Sequence, residues 1–143
     1  MLALGALLAA PAAADIAVVT GESTTVEALE TPQVRDLWLG TIERVGAAKV
    51  YVVDRSDEAI RHDFYRLVLH KTRGQVKAIR AKRAFQHAIA PPPELPDDES
   101  VSRWVLAREN RLGYVDAGAL ADPANESLKV LLLIQVPERS DGE

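Results

Sequence analysis

Few residues in this chain have the type and spacing to do chemistry. Its histidines are His62, His70 and His87. His62 and His70 stand two turns apart along one helix and no second ligand stands near either, so no metal site is expected. His62-Asp63, close after Ser56, suggests a hydrolytic set. Neighbouring residues on a helix point apart, however, and there is no Gly-x-Ser-x-Gly elbow. The absence of cysteine excludes disulfides, a thiolate metal site, a cysteine nucleophile and a lipoprotein anchor. No catalytic, metal or cofactor site is expected. Hydroxyls gather in the polar turn Thr20–Thr25, which carries Ser23, Thr24 and Thr25. Ser56 and Asp57 follow an apolar run at a point where either could cap a helix.

Charge is unevenly spread. Residues 61–87 carry eight basic side chains against Asp63 alone, in a chain of net charge −4. Residues 88–143 carry five basic and eleven acidic groups. Two readings stand: solvated helix faces, or a basic face that docks an envelope protein partner, an anionic membrane surface or a polyanion. Few aromatics interleave with these bases and the chain is acidic overall, so no nucleic-acid partner is expected.

The elements that must position these residues follow from periodicity. Ile16–Val19 reads as a buried strand. Thr31-Pro32 starts a helix, with Thr31 as cap and Pro32 at a position where its missing N–H is not needed. Val34, Leu37 and Trp38 share its face, and Gly40 ends it. Val50–Val53 is the second strand. A helix after Asp57 carries the stripe Ile60, Phe64, Leu67 and Val68. Gly74 breaks the run before a third helix, Gln75–His87, with Val76, Ile79 and Phe85 inward. Pro91–Pro93 and Pro96 form a stiff extended connector. Asp97–Ser100 starts a fourth helix carrying Val101, Trp104 and Val105. Leu112–Val115 is a third strand, and the apolar run in Lys129–Val136 predicts a central strand. Trp38 and Trp104 are expected as core anchors. The fold class is α/β, a small mixed sheet of about four strands flanked by helices.

With 143 residues, 48% hydrophobic and 27% charged, the chain has the composition of one ordinary globular domain. No apolar run is long enough to span a membrane. Met1–Ala14 reads as a secretory signal peptide. Leu2–Ala10 forms the apolar core, and Ala12 and Ala14 give the small-x-small pattern before a cut at Asp15. No Lys or Arg precedes the apolar run, and a buried or frayed N-terminal helix is the alternative. The expected division is a signal peptide at 1–14, a single domain at 15–139 and a frayed tail at 140–143, in the periplasm.

Three segments, in order, resemble a known family. Val34-Arg35-Asp36-Leu37-Trp38-Leu39-Gly40 resembles the "dIFlGk" segment of phosphate-type periplasmic binding proteins. Val52-Val53-Asp54-Arg55-Ser56-Asp57, running to Leu67, resembles the strand–loop–helix in which they hold the anion. Leu112-Gly113-Tyr114-Val115 is similar to their "GaIGYv" strand. Phe64–Leu69, Val76, Phe85 and Pro91–Pro93 further resemble short single-domain members. The resemblance implies an exported, non-catalytic solute-binding fold of the ABC-transporter type, with phosphate or a similar small oxyanion as ligand. Full-length relatives have two lobes; Asp15–Glu143 is about half of that and resembles one lobe.

Such a site needs helix N-terminal amides, hydroxyl donors and one arginine. On the resemblance, Arg55, Ser56 and Asp57 match the anion loop and Ser23, Thr24 and Thr25 occupy the first loop. Arg55 is then the one charge-matched side chain at the strand end, and its loss is expected to spare the unliganded fold. Residues 58–61 depart from the family. Glu58-Ala59-Ile60-Arg61 stands where the family has glycine-serine-glycine-threonine, which removes two hydroxyls and adds a negative charge at the anion-facing helix end. The alternative is a periplasmic protein-interaction module that kept the fold and lost the ligand, with Ser56 and Asp57 merely capping a helix.

Overall fold

The computed structural model describes residues 15–137. The segment read as a signal peptide, 1–14, and the tail 140–143 lie outside the described residues. At the centre is a four-stranded mixed sheet in the order β4-β7-β1-β8. Strand β1 is Ile16–Gly21, β4 is Tyr51–Val52, β7 is Arg111–Asp116 and β8 is Leu128–Ile134. Strand β1 is antiparallel to both β7 and β8, whereas β4 runs parallel to β7. Two-residue strands β2 (Arg44–Val45) and β3 (Ala48–Lys49) form a separate hairpin.

Both faces of the sheet are covered, and β1 shows why its sequence is apolar without alternation. Ile16 and Val18 face the larger core, with Val34, Trp38, Phe64, Val68 and Tyr114. Ala17 and Val19 face a smaller one, with Val53, Val101, Val105 and Val115. The larger core is closed by α1 (Thr31–Leu39), α2 (Glu58–Phe64) with the π-helical turn Tyr65–Leu69 that continues it, and α3 (Arg73–His87). The smaller core is closed by α4 (Asp98–Ala107). Gly113 permits that close packing, since a Cβ there would stand 2.5 Å from Val101 Cγ1. In α1, Gly40 ends the helix with φ 77°, the conformation glycine tolerates.

Several sequence expectations need correction. Strand β8 lies at the sheet edge, where Val130 and Leu133 are exposed, because an apolar run does not reveal how many neighbours it will have. Helix α1 begins with Glu30 at the cap position, its N–H donating to Gln33 Oε1 at 2.9 Å; Thr31 is already helical. Helix α3 begins at Arg73 because Thr72 accepts from the Gln75 N–H, which places Gly74 inside the helix. Phe85 is 92% exposed. It lies two and a half turns, roughly 180°, around α3 from buried Val76. Trp38 is a core anchor as expected, but Trp104 is only half-buried, with the Arg111 guanidinium 4.4 Å above its ring.

The second strand changes partners midway. Tyr51 and Val53 donate backbone hydrogen bonds to Asn110 and Leu112, beside β7. Asp54 and Ser56 then donate to Pro93 and Leu95. The proline connector thus runs into β6 (Glu94–Leu95), which pairs in parallel with β5 (Asp54–Arg55). This pairing fixes the path of the chain from the sheet into α2.

Candidate functional site

At the end of β5 the side chains alternate between two buried networks. Asp54 is fully buried. One of its carboxylate oxygens accepts from the Tyr114 hydroxyl and from the Arg55 N–H. The other accepts from the Tyr65 hydroxyl at 2.6 Å and from Arg80 Nη1 at 2.7 Å. Arg80 also donates to the Trp38 carbonyl, tying α3 to α1. A buried carboxylate with this many donors is fully paired. Burial, and then the Asp54 charge, raise the hydroxyl pKa of both Tyr65 and Tyr114.

Arg55 is 3% exposed. Its Nε and Nη2 donate to the two oxygens of Asp57 at 2.9 and 3.0 Å, a bidentate pair. Its Nη1 donates to Asp98 at 2.7 Å and to the Tyr114 carbonyl at 3.1 Å. Burial works against the charge, but the hydrogen bonds and attraction of Asp98 and Asp57 outweigh it and push the pKa up. Arg55 therefore locks β5, α2, α4 and β7 together. Of the five N–H donors of a guanidinium, one is left for a ligand. The expectation that loss of Arg55 spares the unliganded fold is corrected by this geometry.

Ser56 is exposed. Asp57 stands at the cap position of α2, yet its carboxylate is drawn to Arg55 and makes no cap bond. The first turn of α2 is therefore not capped by that side chain. Glu58 reaches Arg73 at 3.5 Å and Arg61 at 4.0 Å, which partly offsets its charge at this helix end.

Ser23, Thr24 and Thr25 lie elsewhere. Because β1 runs against β7 and β4 runs with it, the end of β1 lies beside the start of β7 and the end of β4 points toward its finish. Thr24 accepts from the Asn110 N–H at 3.3 Å and pairs with the Thr20 hydroxyl at 2.8 Å, while Arg55 meets Tyr114. Along β7 the two places are roughly 10 Å or more apart at 3.3 Å per residue. Arg55, Ser56 and Asp57 are brought together; the Ser23–Thr25 turn is not brought to them. Ser23 and Thr25 are exposed, and Thr24 is buried.

Sequence reasoning missed the Asp54 network, Asp98 as the second partner of Arg55, and the burial of Arg61. One signal was present: a charged residue directly continuing Val50–Val53 must be buried and paired if the strand is covered on both faces. Among the described residues no cluster of three or more His, Asp or Glu is arranged to hold a metal. No helix among them is long and apolar enough to cross a membrane.

The arrangement is a mixed four-stranded sheet flanked by helices, and in fold it is similar to about half of each of several solved proteins. The chain is similar to an ABC-type phosphate transport receptor from Vibrio cholerae, with TM-score 0.61 and 18% identity over 83% of this chain and 46% of that one. It is similar to PstS from Borrelia burgdorferi at TM-score 0.60 and 14% identity, over 82% of this chain and 47% of that one. A phosphate ABC transporter substrate-binding protein from Clostridium perfringens, solved with bound phosphate, matches at TM-score 0.57 and 17% identity, over 85% of this chain and 56% of that one. The chain thus spans about half the length of these proteins. No protein-family model matches it, and no curated protein does. The likeness is one of fold, and it bears out the fold class read from the sequence.

Proposed function

We propose that this chain is an exported, non-catalytic solute-binding lobe whose ligand is a small oxyanion such as phosphate, held where β5 enters α2. The observation that carries the reading is the state of that turn. Arg55 holds the Asp57 carboxylate off the helix end, so the first turn of α2, beside exposed Ser56, is not capped by the Asp57 side chain, and no other side-chain cap is made there among the described residues. Helix-start amides without a cap, next to a hydroxyl, suit a tetrahedral anion. The helical path continues from α2 through Leu69, so the dipole is longer than α2 alone. The similar fold of proteins named for phosphate transport supports the choice of ligand. On this reading Arg55 is a positioning residue that shapes the turn, with Ser56 and the amides as contacts, and Ser23–Thr25 have no part.

Calorimetric titration of residues 15–143 with phosphate, sulfate and a phosphonate tests the ligand. Saturable binding of phosphate is expected, weakened by Ser56→Ala and tightened by Glu58→Gly, which removes the like charge. No saturable heat for any of the three anions at millimolar concentration, with Glu58→Gly equally silent, would refute it. Export is tested by mass spectrometry of protein from the native envelope: a mature chain beginning at Asp15 supports it, and an intact Met1 in that fraction refutes it.

A further inference from the structure

A second feature stands beside this turn and is independent of the reading above. Between α2, the π-helical turn and the start of α3 lies a groove of about 920 Å³. Arg61, Arg66, Lys71 and Arg73 line it, with Glu58 as its one carboxylate. The Arg61 side chain is 6% exposed. A buried guanidinium ordinarily sits in close hydrogen bonds with carboxylates or carbonyls. Arg55 and Arg80 do so, at 2.7 Å each. Arg61 does not. Its hydrogen bond to the Arg55 carbonyl is 3.4 Å long, and its carboxylate neighbours Glu94 and Glu58 stand at 3.7 and 4.0 Å on exposed side chains. Lys71 makes no ion pair among the described residues. The start of α3 carries a capping box of Thr72 and Gln75, which occupies the Thr72 and Gln75 amides.

We propose that this groove binds a compact polyanion carrying two or more phosphate groups, with Arg61 against one group and Arg66, Lys71 and Arg73 against the next. The fork of a guanidinium matches the oxygens of a phosphate, and a buried one is reached only by a compact group. A run of linked phosphates matches the charge density of four cations in one groove. An acidic protein segment spreads its carboxylates further apart and is the competing occupant.

The test uses the chain with inorganic tripolyphosphate as probe, titrated calorimetrically at low and at raised salt, beside orthophosphate and a glutamate-rich peptide. Saturable tripolyphosphate binding that weakens with salt is expected. Lys71→Glu with Arg73→Glu, both outside the core, should lower the affinity at least tenfold with the thermal melt unchanged. Arg61→Lys, which keeps the charge and loses the fork, should also weaken it. Ser56→Ala should leave tripolyphosphate binding intact, which separates this groove from the oxyanion turn. The proposal is overturned by unchanged affinity in the double variant, by absence of binding at millimolar probe, by loss of tripolyphosphate binding in Ser56→Ala, or by tighter binding of the acidic peptide.

Discussion

Replacing Arg55 by alanine is expected to destabilise the domain strongly with no ligand present. The guanidinium makes four hydrogen bonds, three to the carboxylates of Asp57 and Asp98 and one to the Tyr114 carbonyl. Removing one partner of a buried charge pair costs about 3–5 kcal/mol, mostly from the charge left behind. Here the abandoned groups are not fully buried. Asp57 and Asp98 side chains are 42% and 33% exposed, so water can solvate them in part. That discount brings the expected loss to about 2–3 kcal/mol, including the lost packing of the arginine stem and the unpaired Tyr114 carbonyl. Domain stability is typically about 5–15 kcal/mol, so the melting temperature should fall by roughly 10 °C. Urea denaturation followed by tryptophan fluorescence measures it, since Trp38 donates to the Val53 carbonyl two residues before Arg55. Arg55→Lys should recover less than half, because an ammonium cannot bind Asp57 bidentately and still reach Asp98. In a double-mutant cycle, Asp98→Asn should add little once Arg55 is gone. An unfolding free energy within about 0.5 kcal/mol of the parent for Arg55→Ala would refute the reasoning and restore the expectation that its loss spares the unliganded fold.

Three further outcomes are expected. Phe64→Ala should cost about 3–5 kcal/mol, because Phe64 is fully buried and stacks on Tyr114 at 3.8 Å between ring centres; an unchanged urea midpoint would show that this face is not the core. Gly113→Ala should cost about 1–3 kcal/mol through overpacking, since its Cβ would meet Val101, Val53 and Val105 at 2.5–3.2 Å; a thermal melt at or above the parent's would show that α4 can shift away freely. Alkaline pH should destabilise the fold ahead of general base denaturation. Tyr65 and Tyr114 have raised pKa values in the folded state, by burial first and then by Asp54. Unfolded tyrosines release their protons near the ordinary value of about 10. Stability is therefore fully present below that pH and is lost as pH rises beyond it, toward the folded-state values. Denaturation midpoints that stay level from about pH 9 to pH 11.5 would contradict this.

Much of the fold was legible because its signals are local. Ile16–Val19, Leu112–Val115 and the apolar run before Val136 are strands in the structure, and Gly40 closes α1 in the left-handed conformation. Helical spacing placed Val34, Leu37 and Trp38, and then Phe64 and Val68, on buried faces. The misread positions share a cause. Phe85 is apolar but on the wrong side of α3, and β8 is apolar but at an edge. Hydrophobicity reports that a residue gains by burial, not that a neighbour will arrive to cover it.

The sequence by itself determined the element types, the α/β class and the gathering of Arg55, Ser56 and Asp57 at one strand end, because period, caps and turns act over a few residues. Tertiary structure decided what those residues can do. Asp98 is 43 residues from Arg55 and reaches it only because α4 packs on Gly113. Arg55 thereby became an internal clamp and the Asp57 carboxylate was drawn from the helix end. Strand direction decided the rest. Since β1 is antiparallel to β7 and β4 is parallel to it, the Ser23–Thr25 turn and the Arg55–Asp57 turn leave the sheet at opposite ends. Each strand reads the same locally whichever way its neighbours run, so only the assembled sheet could separate the two turns.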